Sequence, residues 1–260
     1  MISFITVNLN NAAGLKKTLE SLPFGEVEFE HVIIDGASSD HSLQVVEPYL
    51  KFNVKLISEK DSGIYNAMNK GIRAATGQYL NFMNSGDCLL DASVLDLVVS
   101  FKGEEVIFYG DRLTGPNRDL WTYPNPIRLS TIVSDGGLSH QSQFIPRKFF
   151  EECGLYDESF RIAGDWAWNV MAAFRHGKRF VHLGCPVCHF EGGGIGSVDS
   201  GHQDVVIRER REFLGRHFPW VVEDMNELQM HRDLTLERSC SGIYRMADTV
   251  FRWKNGSGRV

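Results

Sequence analysis

The first 84 residues alternate short apolar strand patterns with segments of helical periodicity, and that order permits few folds. "ISFITVNL" (2–9), "EHVIIDG" (30–36), "VKLISE" (54–59) and "QYLNFMN" (78–84) read as strands, rich in β-branched and aromatic residues. Between them lie three helical segments: 12–22, with Leu15, Leu19 and Leu22 at helical spacing, then 38–50, opened by Ser and Asp, and 63–75. A βαβαβαβ order predicts a mostly parallel sheet with helices on both faces, because parallel neighbours need a crossover that packs back onto the sheet. Sheets of this kind bind ligands at the C-terminal ends of their strands, where Asn8, Asp35, Glu59 and Asp87 fall.

The second half is more mixed. A helix over 91–101 and a strand over 105–110 precede "GPNRDLWTYPNPIRLS", whose prolines and turn residues predict an irregular excursion. A strand (138–146), a short helix in "RKFFEECG", a strong helix (164–177) and a strand (179–190) follow, then a glycine-rich segment "EGGGIGS" (191–197) and a charged helix (200–217). The expected organisation is one α/β domain over residues 1–204 and a helical extension over 205–260.

Bulk properties exclude several classes. A net charge of −6 lacks the basic field that a general nucleic-acid binder needs to displace counterions. The N-terminal "MISFITVNLNN" has no basic leader, and no stretch approaches the roughly 18 to 20 apolar residues that cross a bilayer. Five cysteines, an odd number without an export signal, fit a reducing cytoplasm.

The block "SEKDSGIYNAMNKGIRAATGQYLNFMNSGD" (58–87) is the most informative. It sets Asp61 and a glycine before a helix, then delivers Asp87 at the end of the next strand, so both carboxylates reach the same sheet edge as Asp35. Here the chain resembles glycosyltransferase family 2, inverting transferases of the GT-A fold. The resemblance begins at "ITVNLNNAAGLKKTLESL", runs through "EHVIIDGASSD" and the block above, and resumes with "HQSQFIPRKFFEECGLYDESFRIAGDWAW".

That resemblance implies a nucleotide-diphospho-sugar transferase with a mostly parallel sheet flanked by helices. Val7, Asn8, Leu9 and Asp35 would meet the base and ribose of a nucleotide-sugar donor, and Asp61 would border the donor pocket. Asp87 would bind a divalent cation, Mn²⁺ or Mg²⁺, and Asp165 would serve as general base. Where many members carry a first acid beside the one at Asp87, this chain has Gly86, leaving Ser85, a backbone amide or water to replace a ribose contact. "YNAMN" replaces the more usual "YDAMN" at Asn66, and Gly-Ala follows Asp35. His189, closing the last strand, is a candidate second metal ligand, and His140 a candidate contact to acceptor or phosphate. The implied acceptor is a glycan or polyprenyl-linked hydroxyl in surface polysaccharide synthesis, and the expected setting is the cytoplasm, at the inner face of the cell membrane.

The chemistry requires these residue types independently of the family. A hard cation that takes one or two carboxylates neutralises a diphosphate leaving group, and a carboxylate within hydrogen-bond reach activates a sugar hydroxyl. Against this stand a capping role for Asp61 and Asp165, a nucleotidyltransferase, and a catalytically silent binding module. "NLNNAAGLKK" is poor in the glycine that a nucleotidyltransferase phosphate loop would show. "CPVCH" (185–189) spells a haem-attachment pattern but sits in an apolar strand, where cysteine is a small buried hydrophobe. The glycine segment 191–197 is expected to act as a lid over the donor. The tail 242–260, mixing apolar with basic residues, suits an anionic membrane surface or a docking site on protein.

Overall fold

The structure, a computed structural model, describes residues 1–101, 105–133, 137–192, 201–224 and 227. The chain divides into two compact units, Met1–Val206 and Ile207–Val260. Most of segment 191–197 and the whole tail 242–260 lie outside the described residues.

The first unit is built on one sheet. Strands β1 (Ile2–Asn8), β2 (Glu30–Asp35), β3 (Val54–Ser58) and β4 (Tyr79–Phe82) are parallel and lie in the order β3-β2-β1-β4. Helices α1 (Ala12–Ser21), α2 (Ser42–Val46) and α3 (Ile64–Ala74) connect them. Pro48 ends α2 early, because its ring favours only the first turn of a helix, and the remainder tightens into a 3₁₀ turn, Glu47–Tyr49.

Beyond β4 the sheet becomes mixed. Strand β8 (Gln143–Pro146) runs antiparallel to β4, β6 (Val106–Thr114) antiparallel to β8, and β9 (Arg179–Phe190) parallel to β6. β5, only Cys88–Leu89, closes the edge antiparallel to β9. α4 (Ser93–Ser100), α5 (Leu129–Val133), α6 (Arg147–Cys153) and α7 (Gly164–Phe174) complete the unit, and α8 (Gln203–His217) follows.

Two further expectations change. β6 continues to Thr114 and turns back as a hairpin onto β7 (Asp119–Trp121), so the excursion expected after residue 114 is ordered by cross-strand pairing. The strand expected over 138–146 opens instead as a 3₁₀ turn, His140–Ser142, and extends only from Gln143.

Alternation along β1 explains the two-sided core. Ile5, with Val32, Ile34, Leu80 and Phe82, faces α3, α6 and α7, whose Met68, Ile72, Phe149, Phe150 and Trp168 fill that side. Ile2 and Phe4 face the other side with Val94, Leu95, Phe108 and Phe144, and Leu15, Leu19 and Val46 cover Ile33. With both faces covered, all six residues of β2 are buried, polar ones included. Glu30 is satisfied by Ser3 Oγ and by the Thr76 amide (2.7 Å) and hydroxyl (3.1 Å).

His31 is less well provided for. Thr6 Oγ1 donates to the Met83 carbonyl (2.6 Å), so at 2.8 Å it must accept from His31 Nε2–H. Nδ1 is then a bare acceptor, buried without a partner, with the Phe24 ring 6.0 Å from the imidazole. Burial lowers the His31 pKa to about 3.

Candidate functional site

Register places the polar ends of three parallel strands side by side. Asn8 pairs with Asp35, and Asp35 with Ser58, at the C-terminal edge of the sheet. Asp35 Oδ1 accepts from Asn8 Nδ2 (2.9 Å) and Ser38 Oγ (2.5 Å), and Oδ2 from the Ser38 amide (2.9 Å) and Ser58 Oγ (2.8 Å). Burial raises its pKa, but these donors outweigh that effect and hold the carboxyl below its ordinary value. Its oxygens are filled, so Asp35 acts on the edge by fixing Asn8, Ser38 and Ser58.

Leu9, 59% exposed, forms the rim of the same edge. A methyl group at Gly36 would stand 2.8 Å from Asp61 Oδ2 and 3.2 Å from Leu9 Cδ1, so the glycine after Asp35 is what lets Asp61 approach β1 and β2. Asp61 also accepts from the Gly63 amide (3.2 Å) ahead of α3.

The segment after β4 bends back toward β1. Ser85 Oγ reaches the Val7 carbonyl (3.1 Å) and Asn8 Oδ1 (2.8 Å), and the Gly86 amide donates to Thr18 Oγ1 (2.9 Å). Gly86 has φ +108° and open space around its missing Cβ. Its identity is therefore set by the backbone, since an L side chain is strained at that φ. Gly86→Asp is expected to lower stability by about 1 to 3 kcal/mol through this strain, without crowding. Urea unfolding of the two proteins measures it.

Asp87 is buried, and burial raises its pKa to about 6, against the effects of a hydrogen bond from Gln141 Nε2 to Oδ2 (2.8 Å) and the charge of Arg112. The Arg112 guanidinium lies 5.6 Å from the Trp121 ring centre and 5.4 Å from that of Phe190. His189 Nε2 donates to the Gly115 carbonyl (2.8 Å), which leaves Nδ1 buried without a partner. Among the described residues no group of three or more His, Cys, Asp or Glu side chains is placed to hold a metal. One carboxylate and one unpartnered imidazole nitrogen fit a cation that draws few ligands from protein and the rest from phosphate and water. Burial pushes the Cys185 and Cys188 thiols up, and Cys188, opposite Leu89 and Arg112 in the sheet, packs in the core close enough to Asp87 for the carboxylate to raise it further.

Asp165 stands in the first turn of α7. Oδ1 accepts from the Trp166 amide (2.9 Å) and Oδ2 from His140 Nδ1 (2.7 Å), while Tyr65 OH, whose one proton goes to the nearer Ile162 carbonyl, stands 3.1 Å from Oδ1. Burial raises its pKa, but the hydrogen bonds it accepts, that from His140 foremost, bring it below the ordinary value. Asp165 is thus ionised at neutral pH. Asn69 donates to the Tyr156 carbonyl (2.9 Å) and to Glu158 (2.8 Å), and Asn66 donates to Glu158 (2.8 Å). These amides tie α3 to the segment leading into α7, and they account for Asn66: an aspartate there would face the Glu158 carboxylate.

The two acids meet through the turn His140–Ser142. His140 binds Asp165, its neighbour Gln141 binds Asp87, and Asn84 Nδ2 lies 3.0 Å from His140 Nε2. Asn84, Gln141, Tyr65 and Arg112 were not legible as site residues in the sequence. For Gln141 and Asn84 the available signal was adjacency to His140 and to the strand end.

Comparison with known proteins gives a consistent result. The family model described as "Glycosyl transferase family 2" matches residues 3–176. A PGL/p-HBAD biosynthesis glycosyltransferase of Mycobacterium tuberculosis is 32% identical over 177 residues, covering 65% of this chain and 68% of the relative. An uncharacterized glycosyltransferase of the same species is 31% identical over 204 residues, covering 75% and 77%. Among solved structures, S. aureus TarS 1-349 in complex with UDP-GlcNAc superposes with a TM-score of 0.63 at 19% identity, covering 84% of this chain and 72% of that one. The mannosyltransferase PcManGT from Pyrobaculum calidifontis, in complex with GDP-Man and Mn²⁺, gives 0.60 at 19% identity, covering 85% and 64%.

Proposed function

Because the chain belongs to glycosyl transferase family 2 and is a glycosyltransferase of GT-A fold, we propose that it moves a sugar, with inversion, from a UDP-sugar to a hydroxyl of a glycan or lipid-linked acceptor. The uridine nucleotide is favoured by the UDP-GlcNAc complex among its structural neighbours, and a biosynthetic acceptor by the relative named as a PGL/p-HBAD biosynthesis glycosyltransferase. Among the described residues no helix is long and apolar enough to cross a membrane. Access to a lipid-linked acceptor would fall to peripheral contact at the cytoplasmic face, through the tail after residue 241. We also propose residues 1–204 as the transferase domain and 205–260 as its extension.

The single observation that carries the mechanism is the convergence of Asp87 and Asp165 on one turn, through Gln141 and His140. Leu9 would cover one face of the base, and Asn8, Ser38 and Ser85, held by Asp35 and β1, would meet the ribose. Asp87, with His189 Nδ1, would hold a divalent cation. When bound, such an ion neutralises the charge that develops on the departing diphosphate. Arg112 adds a second positive charge near Asp87.

At the opposite side of the anomeric carbon, Asp165 accepts the acceptor hydroxyl proton as its oxygen attacks. One C–O bond forms to the acceptor and the C–O bond to phosphate breaks, so the configuration inverts. A carboxylate with a lowered pKa is a weak base in the ground state, so proton transfer accompanies attack rather than preceding it.

A panel of sugar nucleotides with Mn²⁺ or Mg²⁺, read by release of nucleoside diphosphate, tests this reading. Asp87→Ala is expected to reduce metal-stimulated release about 100-fold or more. Undiminished release by that variant would remove Asp87 from the metal site. Donor binding with no release under any metal would identify a silent module, and pyrophosphate formed from a nucleoside triphosphate a nucleotidyltransferase.

A further inference from the structure

We propose that His140, backed by Asn84, is a positioning residue that holds Asp165 in one orientation and leaves one lone pair of its Oδ2 free for the acceptor hydroxyl. The inference rests on Asp165 being the base. Its support is the hydrogen-bond chain itself. With Asn84 Nδ2 donating at 3.0 Å, His140 Nε2 is an acceptor, so the ring proton sits on Nδ1 and points at Asp165 Oδ2, 2.7 Å away. The tautomer is thereby set by a neutral amide that has no titration of its own.

The carboxylate is held from both sides. The Trp166 amide donates to Oδ1 and His140 to Oδ2, and the Tyr65 hydroxyl, donating to the Ile162 carbonyl, lies against Oδ1 at 3.1 Å. Each carboxylate oxygen accepts two hydrogen bonds, so one place remains on Oδ2, while the Tyr65 hydroxyl covers the second place on Oδ1. That place is oriented only while His140 fixes the rotation of the group. Among the described residues the titratable groups facing Asp165 are Tyr65 on α3, Tyr156 on the segment before α7, and His140 itself. The two tyrosines stay neutral, their pKa values raised by burial, so His140 is the neighbour whose loss changes the base. Without it, burial is opposed by fewer donors and the Asp165 pKa rises.

Three variants separate positioning from packing. His140→Asn places its amide nitrogen near the Nδ1 position, whereas His140→Gln reaches only toward the Nε2 position, and His140→Ala offers neither. For His140→Ala, kcat is expected to fall roughly 10- to 100-fold, the cost of a misplaced reacting group. The acid limb of kcat/KM should move to higher pH, with nucleoside diphosphate affinity unchanged. His140→Asn should recover most of the rate and return the limb to lower pH, and His140→Gln should not.

Thermal unfolding and nucleoside diphosphate binding of each variant exclude loss of the fold as the cause. An unmoved acid limb in His140→Ala, or equal behaviour of the Asn and Gln variants, would overturn the inference. Asp165→Asn assayed alongside distinguishes the two levels. If it is inactive while His140→Ala keeps its pH profile, only the role of His140 fails. If it turns over normally, the assignment of the base fails, and the role of His140 with it.

Discussion

Asp165→Asn is expected to lower kcat by about 10²- to 10⁴-fold, the usual contribution of a positioned base, while nucleotide affinity changes little. The amide is nearly isosteric with the carboxylate but cannot accept the acceptor proton at neutral pH. It also disturbs the surroundings, because two groups donate to this side chain, one to each oxygen: the Trp166 amide and His140 Nδ1. An amide oxygen turned to the Trp166 amide sets the NH₂ group against His140 Nδ1–H, and the reverse rotation sets it against Trp166. Either way one donor loses its partner, at a cost of about 1 to 3 kcal/mol when buried. The donor edge at Asn8, Asp35 and Ser58 makes none of these contacts, so nucleoside diphosphate binding by calorimetry should remain within a few-fold of the parent. Normal turnover by the variant would remove Asp165 from the mechanism.

The stability of the protein should fall in mild acid, with His31 as a principal cause. An unfolded chain protonates this histidine near 6.5, whereas the folded protein does so only at about 3. Between those values the unfolded state binds more protons, so stability decreases as pH falls below 6.5 and the loss is complete below about 3. At about 1.4 kcal/mol per pH unit, His31 costs the fold about 2 kcal/mol between pH 7.5 and pH 5, and about 5 kcal/mol in full. Asp87 acts in the opposite direction, since its pKa is raised to about 6 and protonation favours the folded state as pH falls. The contribution of His31 is therefore isolated by comparison with His31→Gln, whose amide nitrogen can keep the hydrogen bond to Thr6 Oγ1 without titrating. Denaturant unfolding at both pH values should show a smaller acid loss in the variant, by about 2 kcal/mol. An equal loss in both proteins would show that His31 is not the acid-sensitive group.

The half of the fold built from local repeats was readable from sequence. The four parallel strands and their helices follow from periodicity and caps, both properties of a few consecutive residues. β5 and β7 were not foreseen, because strands of two and three residues carry no periodicity, and their pairing is decided by β9 and β6. The 3₁₀ turn at His140 was hidden in a segment whose apolar end reads as strand.

At the site, the acids were legible from strand ends and a helix start, and the family resemblance gave them roles. The amides were not. Gln141 and Asn84 matter through residues distant in sequence, Asp87 and His140, and no local pattern marks an amide for such a task. Asp35 shows the converse. It was readable as an acid at a strand end, but the four donors that the structure sets on its oxygens were not.

The turn His140–Ser142 makes the site sensitive to chain length as well as to residue identity. In a 3₁₀ turn successive side chains diverge by about 120°, which allows neighbours to address different targets. Substitution at His140 or at Gln141 can impair one half of the reaction and leave the other intact. Deletion or insertion of one residue rotates both by a third of a turn, and each acid then loses its amide or imidazole together. Natural variation across this turn should therefore proceed by exchange of side chains, with its length held constant even where the flanking loops grow or shrink.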